Sequence, residues 1–257
     1  MISNRELREA FHFCFLERLL KVADADQFVL KDGVNLRFFF GSPRYSEDMD
    51  LDVLAGSVAT LKKNGYKVLD DAALRRALRT YGIVDIEVND PEKAKHTPTT
   101  QRFRVQLVAA SGERLPSKVE FSRRATAADD SGKELAQIDS EIARRYHRLS
   151  FRCQHYTGEA AAAQKVLALA GRAVTPARDV FDLEILQRGG HVQPAKLHAE
   201  LGRQTSGAAL ENLKSLGFED FSGQVLEFLD EDARREFGNR AAWAAMVERI
   251  RDVLTPS

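Results

Sequence analysis

Along residues 3–22, apolar side chains return at helical spacing. Leu7, Phe11, Cys14, Phe15, Leu19 and Val22 share one face, which predicts an amphipathic helix. Ser3 with Glu6 has the pattern of a capping box at its start. Phe28-Val29-Leu30 predicts a short strand. Asp32-Gly33 then predicts a turn into a short helix carrying Leu36, Phe38, Phe39 and Phe40. A strand is predicted from Asp48 to Leu54, and a helix from Leu69 to Tyr81 with Ala72, Ala73, Leu74, Ala77 and Leu78 apolar. Alternation predicts further strands at Ile83–Val88, Phe103–Val108 and Lys118–Phe121.

The pattern changes after residue 122. Residues 123–134 are small, polar and charged, as a loop or linker would be. From about residue 157 the spacing is helical, with helices predicted at 160–170, 179–187, 195–201, 207–216, 224–237 and 241–254. Mixed strands and helices followed by helices alone predict an α+β protein. Its mixed-sheet head would cover residues 1–125 and its helical domain 126–257. No internal repeat interrupts this plan.

Composition narrows the class without naming a function. The 257 residues suffice for one large domain or two modest ones. Hydrophobic residues at 44% and charged residues at 30% describe an ordinary globular chain. Basic and acidic residues balance at 38 each, which argues against a generic polyanion binder and leaves room for a local basic groove. The densest basic stretch holds Arg144, Arg145, Arg148 and Arg152 with His147 and His155. It is either a surface for nucleic-acid phosphates or a solvated face. Cys14 and Cys153 are far apart and match no zinc spacing, as in a reduced, cytoplasmic protein with packed thiols. No apolar run reaches the roughly 20 residues of a membrane span, and the acid-bearing N-terminus carries no leader pattern.

The candidate chemistry lies in Ser46-Glu47-Asp48-Met49-Asp50-Leu51-Asp52. Alternate residues of a strand share a face, so Asp48, Asp50 and Asp52 project together. Like charges that close repel unless a cation lies between them, and carboxylates at a strand end suit magnesium. Taken alone, an Asp-x-Asp is more often a solvated turn. Three features strengthen it here. The Asp32-Gly33 turn can offer backbone N–H groups to a phosphate. Lys118 and Glu120 share a face of a later strand and supply a third carboxylate. Asp179 and Asp182, three apart on a helix, share a face and follow Lys165.

With these residues in place, the chain resembles the AbiEii/AbiGii-type nucleotidyltransferase toxins of type IV toxin–antitoxin systems. The resemblance rests on four motifs in order. They are Gly41, Arg44, Ser46, Asp48 and Asp50; Lys118 with Glu120; the helix from Gln164-Lys165 to Arg172; and Arg178-Asp179-Val180-Phe181-Asp182-Leu183. Residues beyond 183 add only a helical tail containing Trp243. One departure stands at the turn. Family members usually carry Gly-Gly and then Thr or Ser, where this chain has Asp32-Gly33-Val34. Lys31, Asn35 and Arg44 are the candidates to replace the lost phosphate contact.

The resemblance implies a polymerase-β-like nucleotidyltransferase core with a helical domain behind it. It implies transfer of a nucleotide from an NTP to an acceptor hydroxyl, favouring tRNA, with a cognate antitoxin as partner. Asp48, Asp50 and Glu120 would hold Mg2+, with Glu120 alternatively the base on the attacking hydroxyl. Lys165 would neutralise phosphate charge. Gly33, Ser46, Lys118, Asp179 and Asp182 would bind or orient the nucleotide, the last two either by orienting Lys165 or by holding its base or sugar. Asp52 would make only a surface or supporting contact, and Arg178 with Asp182 could be an ordinary helical ion pair. Two alternatives remain: a protein or small-molecule acceptor of the aminoglycoside kind, and a catalytically inactive nucleotide- or partner-binding member.

Overall fold

A computed structural model of the chain describes residues 2–90, 96–123, 132–172 and 176–255. It divides into two units. The first comprises residues 1–39 and 45–156, the second residues 40–44 and 157–257.

In the first unit, helix α1 (Asn4–Leu19) begins at Ser3, whose side chain accepts from the Glu6 N–H while Glu6 reaches back to the Ser3 N–H. Its apolar stripe is almost wholly buried. Strand β1 (Phe28–Lys31) runs straight into helix α2 (Asp32–Phe39), followed by β2 (Asp48–Val53). Two helices come next, α3 (Val58–Leu69) and α4 (Ala72–Arg79), where a single helix from 69 to 81 was expected. Leu69 ends the first of them, and Asp71 caps the second through the Ala73 N–H. Strands β3 (Ile83–Val88), β4 (Thr100–Ala109) and β5 (Arg114–Ser122) follow.

The sheet then continues past the expected boundary at residue 125. Most of the predicted linker lies outside the described residues, but its end, Lys133 and Glu134, opens strand β6 (Lys133–Gln137). Helix α5 (Ser140–Arg145) and strand β7 (Arg152–Tyr156) complete the unit. The seven strands are ordered β3-β4-β5-β2-β1-β7-β6. Strands β2 and β5 are parallel, as are β1 and β7, and the remaining pairs are antiparallel.

The two sheet faces differ in chemistry. Met49, Leu51, Val119 and Phe121 join one hydrophobic core with Phe11, Phe15 and Leu19 of α1. Phe121 meets Phe28 and Phe103 edge-on at 6.4 and 5.9 Å. Alternation therefore sends Asp48, Asp50, Lys118 and Glu120 to the opposite face.

The second unit is helical: α6 (Gly158–Gly171), α7 (Ala177–Arg188), α8 (Pro194–Lys214), α9 (Phe218–Gln224), α10 (Glu231–Phe237) and α11 (Arg240–Leu254). The predicted helices 195–201 and 207–216 are the two arms of α8, kinked at Gly202, whose φ is +77°. The predicted helix 224–237 is instead the end of α9, a short 3-10 turn and α10. Its core gathers Phe181, Phe221, Phe237 and Trp243, with Trp243 stacked on Phe221 at 5.0 Å. Among the described residues no helix is long and apolar enough to cross a membrane.

Candidate active site

Parallel pairing of β2 with β5 builds the acidic cluster. Asp48 lies opposite Lys118, and Asp50 opposite Glu120. The Lys118 ammonium is 3.2 Å from Asp48 Oδ2, 3.8 Å from Asp50 Oδ1 and 3.7 Å from Glu120 Oε2. On the next strand, Arg102 lies opposite Glu120 and donates from Nε to Oε2 at 2.5 Å. The Ser122 hydroxyl donates to the other Glu120 oxygen at 3.3 Å. Ser46 fixes the entry to β2 by donating from Oγ to the Asp48 carbonyl at 2.8 Å.

Electrostatics follows from these contacts. Burial pushes the Asp50 carboxyl up to about 6, with Lys118 pulling it down and Asp32 adding to the rise. Burial also opposes charge on Lys118, but Asp50, Asp48 and Glu120 outweigh it and hold the ammonium above the usual lysine range. At Glu120, burial is outweighed by Arg102 and Lys118, and the carboxyl is held low. Among the described residues no three acidic, histidine or cysteine side chains stand gathered as a ready ligand set, and Lys118 lies amid the carboxylates. The donors nevertheless suit a hard divalent ion. Asp48 and Asp50 are carboxylates on one strand face, partly open to solvent, with a positive charge already between them.

Asp52 is neither exposed nor loosely held. It is buried, bonded by the Lys31 ammonium at 2.5 Å and by the Tyr156 hydroxyl at 2.8 Å. The three candidates to replace the missing phosphate contact are likewise engaged. Lys31 is on Asp52. Asn35 donates to the Tyr156 carbonyl and meets His155 Nδ1, both at 3.0 Å. Arg44 forms two bonds to Asp182, at 3.0 and 2.9 Å. At the turn, Gly33 is buried in the first turn of α2, and Val34 belongs to the hydrophobic core. Asp32 has a φ of +56°, in the left-handed region that glycine favours.

The second unit carries its own charged cluster. Lys165 is buried, 3.3 Å from Asp179 and 3.0 Å from Asp182. Arg172 adds a bond to Asp179 at 2.8 Å. Burial would raise the Asp182 carboxyl, but Arg44 and Lys165 outweigh it and hold it low. The i,i+4 pairing of Arg178 with Asp182 is replaced by these contacts, and Arg178 is exposed.

The basic stretch is partly paired, while Arg144, Arg145, His147 and Arg152 stay exposed. Arg144 pairs with Glu141, Arg148 with Glu17, and Arg145 donates to Tyr45 and approaches Glu6 at 3.7 Å. Arg152 donates to the Leu135 carbonyl. His155 is buried and stacked on Phe39 at 3.6 Å. Sequence reasoning missed Arg102 and the Lys31–Asp52–Tyr156 set. Their only signal is strand register, which local spacing does not carry.

Comparison with known proteins converges on one family. The family model described as the nucleotidyl transferase AbiEii toxin of type IV toxin–antitoxin systems matches residues 14–256. Among solved structures, JHP933 from Helicobacter pylori is 18% identical, with a TM-score of 0.58 over 99% of this chain and 95% of that one. MenT4, a nucleotidyltransferase toxin from Mycobacterium tuberculosis, is also 18% identical, with a TM-score of 0.61 over 99% of this chain and 85% of that one. At that identity the likeness is one of fold. Curated proteins give no match.

Proposed function

Since the chain belongs to the AbiEii family of nucleotidyltransferase toxins, we propose that it uses magnesium to move a nucleotide from an NTP to a hydroxyl on RNA. A tRNA is the favoured acceptor, on the family resemblance alone. The observation that carries the reading is the β2–β5 register, which sets Asp48 beside Lys118 and Asp50 beside Glu120 on one open face.

Asp48 and Asp50 would hold the metal, and Ser46 would fix the backbone of Asp48. Glu120 completes the acidic set. When bound, the divalent ion lowers the cost of the charge that develops on phosphate. The acceptor oxygen forms a bond to the α-phosphorus, and the bond to the α–β bridging oxygen breaks. Pyrophosphate departs with that electron pair, and the acceptor proton goes to a carboxylate of the acidic set. Lys118 offers an ammonium to phosphate oxygens at this face. Lys165, held by Asp179 and Asp182, is the second proposed phosphate cation.

The inactive-member reading has one observation in its favour, the loss of a hydroxyl at Val34. Replacement of the metal ligands separates the two. Asp48→Ala or Asp50→Ala is expected to abolish growth inhibition on expression and to slow nucleotide transfer by at least about a hundredfold, the scale of a lost charge-stabilising group. Growth inhibition undiminished in both folded variants would overturn the catalytic reading.

A further inference from the structure

The carboxylates of the first unit are unequal in their attachments. Arg102 and Ser122 engage both oxygens of Glu120. For Asp48 and Asp50, Lys118 is the only ion-pair partner among the described residues. Lys118 is also loosely held. Its distances of 3.2, 3.8 and 3.7 Å to three acids exceed the 2.7–2.9 Å or so of a committed ammonium–carboxylate bond. One charge is shared among three, on a flexible four-carbon stem that can swing.

We propose that Lys118 is an exchangeable occupant of the cation site, which gives up Asp48 and Asp50 to an arriving divalent ion while keeping Glu120 as its anchor. This rests on the reading that Asp48 and Asp50 are metal ligands. Glu120 is then a positioning residue rather than a third ligand. Fixed by Arg102, it retains the displaced ammonium at the rim of the site, where the phosphates of an incoming nucleotide need positive charge. The ammonium also offsets repulsion between Asp48 and Asp50 while no metal is bound. The exchange requires only side-chain rotation, since the Cα partners Asp48–Lys118 and Asp50–Glu120 are set by the sheet.

The test is direct Mn2+ binding without nucleotide, followed by paramagnetic resonance of the free ion. Lys118→Met removes the competing charge at similar length and is expected to tighten Mn2+ binding by about tenfold, a modest share of the attraction between such neighbouring charges. Glu120→Gln leaves Lys118 only Asp48 and Asp50 to pair with and is expected to weaken Mn2+ binding several-fold, whereas Asp48→Asn abolishes binding. In the wild-type protein, acylation of Lys118 read by mass spectrometry is expected to rise when Mn2+ is added, a measurement that does not depend on any variant folding. Equal or weaker Mn2+ binding by folded Lys118→Met, or unchanged Lys118 acylation at saturating Mn2+, overturns the exchange. Loss of affinity in Glu120→Gln comparable to that in Asp48→Asn makes Glu120 a ligand and overturns its anchoring role. Absence of Mn2+ binding in both wild type and Lys118→Met overturns the underlying metal reading as well.

Discussion

At position 32 an aspartate adopts the backbone angle that a glycine would take without strain. Its φ of +56° costs an ordinary L-residue roughly 1–2 kcal/mol, less for Asp, whose short side chain tolerates the left-handed region. The sequence departure from Gly-Gly therefore leaves a glycine-like turn in place and changes its charge. Asp32 adds to the raised pKa of Asp50, so its carboxylate is felt at the acidic cluster. Asp32→Gly keeps the angle and removes the charge. It is expected to tighten binding of a fluorescent triphosphate several-fold in the presence of magnesium, on the scale of one screened charge near a polyanion. Unchanged or weaker affinity would show that Asp32 does not oppose the nucleotide. Residue types alone singled out Asp48, Asp50 and Glu120 as candidates. They could not announce that Val34 belongs to the core, or that Lys31, Asn35 and Arg44 were already engaged.

Helix α3 shows why one element escaped the sequence pattern. Its buried stripe is Leu61, Gly65, Val68 and Leu69, and the apolar spacing breaks at the glycine. The gap is filled from outside the helix by the ring of Phe103 on β4. A Cβ at Gly65 would lie 2.3 Å from Phe103 Cζ. Phe103 is itself fully buried and meets Tyr66 edge-on at 5.0 Å, so it has little room to yield. Gly65→Ala is expected to destabilise the protein by about 1–3 kcal/mol in urea unfolding, the usual cost of overpacking, despite alanine's better helix propensity. Adding Phe103→Leu should recover part of the Gly65→Ala loss. Greater stability in Gly65→Ala alone would contradict this packing. The candidate site was legible where it followed local alternation, as in β2 and β5. Its partners came from register between strands distant in sequence, as with Arg102 opposite Glu120. Strands β6 and β7 escaped for a similar reason: charged and polar residues such as Lys133, Glu134 and Arg152 mask their pairing.

On the scale of the whole chain, the α+β plan with a helical second half was legible because strands cluster before residue 122 and helices after 157. The extent of the first unit was not, since β7 reaches the sheet by pairing with β1, far away in sequence. Charge along the sequence does not foretell its pairing at this scale. Arg144, Arg145 and Arg148 form a basic run in the sequence, yet acids from distant segments, Glu6 and Glu17, pair with two of them. With 38 charges of each sign, where RNA would bind is set by pairing in the fold rather than by composition.

Nucleotidyl transfer at the Asp48–Asp50 face is what the proposed function stands on. Its most direct test incubates the purified protein with magnesium, total tRNA and each NTP in turn, labelled at either the α- or the γ-phosphorus. Label is expected in RNA from at least one α-labelled NTP, none from the γ-labelled form, and none with Asp48→Ala. Absence of α-label transfer from every NTP by folded wild-type protein, or transfer of the γ-label, would contradict it.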